Sequence, residues 1–63
     1  MKEEDEFVEL IGTTKAETNL ALLIEFAEGE VWLPKSQLED WPDKDEYGLV
    51  ILPEWLAKDK GLI

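Results

Sequence analysis

Cysteine, histidine and arginine are all absent from this 63-residue sequence, and serine occurs once, at Ser36. Without cysteine no disulfide can staple the chain. Without cysteine and histidine the usual zinc sites are excluded. Without all three, the common nucleophile–base pairs and anion clamps of enzymes have no members here. No apolar run approaches the ~20 residues that span a bilayer. The start, "MKEEDEF", is acidic where a signal peptide is basic and then apolar. These absences lead us to expect a cytoplasmic, non-catalytic protein with no cofactor and no metal.

What is present is mostly acid. Sixteen Asp and Glu face six Lys, for a net charge of −10. Such a polyanion repels nucleic acid and anionic lipid, and is matched best by a basic protein surface. The same charge also keeps a small protein dispersed. The length allows one small domain, residues 1–63, which buries only ~60% of the surface of its unfolded chain. Its stability must come from packing or from assembly with copies of itself.

The charge run 2–6 gives residues 1–6 the look of a frayed end. "FVELIG" (7–12) is read as a strand, followed by a turn in "KAET" (15–18). In "NLALLIEF" (19–26) the alternation of Leu20, Leu22, Ile24 and Phe26 predicts a strand with those four side chains toward a core. Gly29 marks a turn with positive φ, and "EVWL" (30–33) returns to complete a β-hairpin. Pro34, which has no N–H, ends the ladder. "PKSQ" (34–37) suits one 3₁₀ turn, with Ser36 and Gln37 bonding to the backbone and Lys35 paired to a carboxylate or lying over the sheet edge. "LEDW" (38–41) reads as a brief strand, 42–48 as a polar loop and "LVIL" (49–52) as another strand.

"PEWLAKDKG" (53–61) reads as a helix with Pro53 at its first position and Gly61 as its left-handed C′ residue. Trp55 and Leu56 are expected to dock it, with Leu62 folding back on Leu56 or Ala57. The sum is a mainly β fold of about five short strands with one C-terminal helix. A small SH3-like or OB-like bent sheet, or a partly open barrel, is the simplest architecture.

The stretch from Glu17 to Ile63 resembles a family of small phage and prophage proteins. The resemblance rests on two units, "WLPKSQ" (Trp32–Gln37) and "PEWLAKDKGL" (Pro53–Leu62). It implies a compact β-rich fold and a phage origin, and no activity that transfers residue by residue.

The candidate partner-binding residues are Asp40, Trp41, Asp43, Asp45, Glu46 and Tyr47, where two aromatics bracket an acidic loop. That loop lacks the ligand spacing of a calcium site. Ser36 beside Lys35 is a poor dyad, because adjacent turn residues rarely converge. The expected function is an acidic module that engages a basic, nucleic-acid-holding surface on a host or phage protein, as an anti-restriction or anti-CRISPR inhibitor does. Two alternatives stand beside it. One is an accessory that touches single-stranded nucleic acid through Lys15, Lys35, Lys44 and nearby aromatics. The other is a structural or assembly subunit, a homodimer joined along an open strand edge.

Overall fold

The computed structural model describes residues 6–63. They form β1 (Phe7–Glu17), β2 (Ala21–Phe26), β3 (Gly29–Pro34), a 3₁₀ turn (Lys35–Gln37), β4 (Tyr47–Pro53) and α1 (Glu54–Asp59). The strands make one antiparallel sheet in the order β3-β2-β1-β4. The fold is therefore mainly β with one C-terminal helix, as the sequence indicates. The sheet is open: no ladder joins β3 to β4 among the described residues, so it does not close into a barrel.

β1 holds the sheet together by serving two partners in turn. Phe7 to Thr13 pair with β4, and Thr13 to Glu17 pair with β2. The register shifts between Thr14 and Ala16, which makes Lys15 the extra residue of a bulge. A bulge bends a strand and increases its twist. The β2–β3 pairing runs from Ala21–Pro34 to Phe26–Gly29. Gly29 takes φ +134, a conformation that costs glycine little.

Leu22, Ile24 and Phe26 of β2 are buried, together with Leu33 of β3 and Val50 and Leu52 of β4. Leu38, Leu56, Ala57 and Leu62 cover them from one side, with Trp41 packed against the edge of this cluster. At the end of α1, Leu62 N–H donates to Ala57 C=O (2.8 Å) and Gly61 N–H to Lys58 C=O (3.1 Å). With Gly61 at φ +75 this is a Schellman ending, and it delivers Leu62 to the core.

Several local expectations are corrected. Leu20 is 80% exposed, not in the core. Thr18 Oγ1 accepts hydrogen bonds from the N–H groups of Leu20 and Ala21, so the chain is still turning at 18–20 and the strand starts at Ala21, two residues later than expected. "KAET" is therefore mostly strand, and the turn lies after it. "LEDW" is not a fifth strand, because only Asp40 forms a bridge, to Ile51. Pro53 ends β4 as the N-cap of α1, in an extended conformation, and Glu54 takes the first helical position. The expected frayed end falls outside the described residues except for Glu6, whose carbonyl accepts a bond from Glu54 N–H (2.9 Å).

The 3₁₀ turn lies where expected, but its cause differs. Leu38 N–H donates to Lys35 C=O (3.1 Å), and the exposed Ser36 and Gln37 side chains make no hydrogen bond among the described residues. Lys35 Nζ does pair with Glu17.

Candidate partner-binding surface

The acidic loop is tied to the sheet by one residue. Thr14 is fully buried, and its Oγ1 donates to Pro42 C=O (2.8 Å). Its N–H donates to Glu46 C=O (3.2 Å), and its C=O accepts from Asp45 N–H (2.6 Å). Replacing Thr14 with Val keeps the shape and removes the hydroxyl. We expect a loss of about 1–3 kcal/mol, since Pro42 C=O loses its donor. A urea titration measures this, and an unchanged midpoint argues against the anchor.

Glu46 N–H donates to Asp43 C=O (2.9 Å), which closes a turn with Lys44 and Asp45 at its centre. Asp45 sits there at φ 69, the left-handed region that suits glycine or asparagine. Asp45→Gly should therefore raise stability by about 0.5–1 kcal/mol. A urea midpoint that stays put or falls contradicts this.

Five of the six candidate residues are exposed, and Trp41 is not. Asp40 is exposed, but its Oδ1 accepts Trp41 N–H (2.9 Å). Trp41 is half-buried against the core, so it is not the free aromatic that was expected. Asp43, Asp45 and Glu46 are exposed along the loop. Tyr47 is 75% exposed and begins β4, opposite Thr13. Trp55, expected in the core, is 41% exposed; Leu56 docks the helix as expected, with Ala57 in place of Trp55. A six-residue helix presents one narrow stripe to the sheet, and that stripe falls on 56 and 57.

Register shows what lies on the uncovered face of the sheet. Side chains alternate along each strand. Val8, Leu10 and Thr14 point to the covered side with Leu52, Val50 and Ile24. Phe7, Glu9, Ile11 and Thr13 therefore point away, beside Ile51, Leu49 and Tyr47. On the other hairpin Leu23 and Trp32 share this face, as do Glu25 and Glu30. Phe7, Ile11, Trp32, Tyr47 and Leu49 are all substantially exposed. A row of Glu30, Glu25, Thr13 and Tyr47 crosses all four strands.

A hollow of about 320 Å³ opens where the β2–β3 hairpin ends and β1 runs on with only β4 beside it; Ile11, Glu25, Phe26 and Tyr47 are among its walls. Sequence reasoning missed this face because 7–11 and 49–52 carry apolar residues at both odd and even positions. Alternation then gives no polar side to mark as the outside.

Four of the described lysines face carboxylates. Lys15 lies 3.8 Å from Glu25, Lys44 3.4 Å from Asp45 and Lys58 3.6 Å from Glu54. With Lys35 on Glu17, the three lysines proposed to meet nucleic acid each already face a carboxylate. Among the described residues no cluster of carboxylates could hold a metal ion, and no helix is long and apolar enough to cross a membrane. No protein family, curated protein or solved structure matches the chain.

Proposed function

We propose that this chain is a non-catalytic acidic module that binds a basic protein surface. The supporting observation is the uncovered sheet face, where Ile11, Trp32, Tyr47 and Leu49 are exposed among Glu9, Glu25 and Glu30. Exposed apolar area ringed by charge is typical of a protein-binding site. Aromatic anchors supply the affinity, and the carboxylates select a cationic partner and speed encounter. The net charge of −10 works against anionic lipid and nucleic acid as ligands.

The partner class this chemistry favours is a protein whose basic surface otherwise holds nucleic acid. A phage inhibitor of a restriction or CRISPR nuclease would act in this way. The acidic loop contributes Asp43, Asp45 and Glu46 as long-range charge beside Tyr47.

The test is capture of partners from host lysate at ~0.05 and ~0.5 M salt, using the native chain and a Tyr47→Ala/Leu49→Ser variant. Both replaced side chains are exposed, so the variant should fold. The proposal expects a partner that is lost at high salt, lost with the variant and displaced by a short DNA duplex. A partner retained at high salt and by the variant contradicts it.

A further inference from the structure

We infer that the open edge of β3 accepts an extended basic segment of another protein as a fifth strand. This rests on the binding-module reading and specifies how such a partner is held.

The backbone geometry carries the argument. Lys35 N–H donates to Leu20 C=O (2.8 Å), which makes Leu20–Lys35 a hydrogen-bonded pair. Alternation extends the pattern to Leu22–Leu33, Ile24–Val31 and Phe26–Gly29. The N–H and C=O groups of Glu30 and Trp32 therefore point away from β2. No strand pairs with them among the described residues. Pro34 falls in the same phase, so its missing N–H lies on the open side and costs the ladder nothing.

Charge decides the occupant. Glu30 lies opposite Glu25 in a non-hydrogen-bonded pair, the kind in which facing side chains approach most closely. Like charges so placed are unfavourable. Lys15, at 3.8 Å from Glu25, is the nearby cation. Glu28 is exposed in the adjoining turn. A strand that sets Lys or Arg beside Glu30 relieves this repulsion. A cation beside Trp32 also gains the face of an exposed indole. On the covered side the incoming strand meets half-buried Val31, which suits an apolar residue. The preferred segment thus alternates basic and apolar residues. A second copy of this chain fits poorly, since it would bring two molecules of net charge −10 together along Glu28 and Glu30.

The probe is a blocked peptide of about seven alternating Lys and Val residues, long enough to form one strand. It is titrated into the isotopically labelled full chain at ~0.05 M salt while amide exchange is followed. Saturating peptide should slow exchange at Glu30 and Trp32 by about tenfold or more, and leave Val31 and Leu33, already bonded to β2, unchanged. N-methylation of alternate peptide residues should abolish binding in one register and spare it in the other.

Binding insensitive to N-methylation, with shifts confined to Ile11, Tyr47 and Leu49, overturns the edge site and leaves the binding face standing. Protection of Glu30 and Trp32 that grows with protein concentration without peptide overturns it in favour of self-association. A peptide that shifts no resonance also overturns it, and the capture experiment then decides the module reading by itself.

Discussion

Leu22→Ala should leave the chain largely unfolded at 25 °C. Leu22 is fully buried near the start of β2, opposite Leu33, in the cluster that contains Ile24, Leu52 and Leu56. Truncating a buried leucine costs about 2–5 kcal/mol, from lost transfer energy and the cavity left behind. A core in a domain this small rarely supplies more than about 3–5 kcal/mol in total. No disulfide makes up the difference.

The matching control is Leu20→Ala, two residues earlier. Leu20 stands out in solvent, and its replacement should change stability by no more than about 0.5 kcal/mol. Circular dichroism and a urea titration on the two variants test the pair. Equal losses would show that the interior is assigned to the wrong residues.

Gly12→Ala should cost about 1–3 kcal/mol, whereas Gly48→Ala, its cross-strand partner, should be close to neutral. Neither glycine has a positive φ, so backbone conformation does not distinguish them. Space does. A Cβ on Gly12 would lie 2.8 Å from Ile24 Cγ2, 3.0 Å from the Glu25 carbonyl oxygen and 3.1 Å from Phe26 Cδ1. The carbonyl belongs to the ladder and cannot swing aside. β1 crosses the end of β2 here, so closeness at Gly12 is what lets the two halves of the sheet share one strand. A Cβ on Gly48 meets only Pro42, at 3.5 Å and beyond, which is ordinary contact. Urea midpoints for the two variants measure the contrast. Similar values for both would remove the steric account of Gly12.

The uncovered sheet face was legible only in part. Tyr47 stands where an exposed aromatic was expected, on the sheet face at the end of the acidic loop. Trp41 and Trp55 exchanged their expected roles. Both are flanked by apolar and acidic neighbours, so nothing local separates them. Trp41 turns inward because Asp40 bridges Ile51 and Thr14 holds Pro42, which brings the segment across the core. Those tethers link residues far apart in the chain, and no window of sequence contains both ends.

The sequence alone determined the charge, the β2–β3 hairpin with its turn at Gly29, the 3₁₀ turn after Pro34 and the glycine ending of the helix. Each is a local matter of periodicity, φ preference or composition, settled within a few residues. Tertiary structure decided that the sheet stays open, that β1 serves two partners and that Thr14 carries the acidic loop. It also decided which side of 7–13 and 47–53 is left bare. Alternation fixes which side chains share a face. Which face is covered depends on where Leu38, Leu56 and Leu62 land, and only the folded chain brings them there.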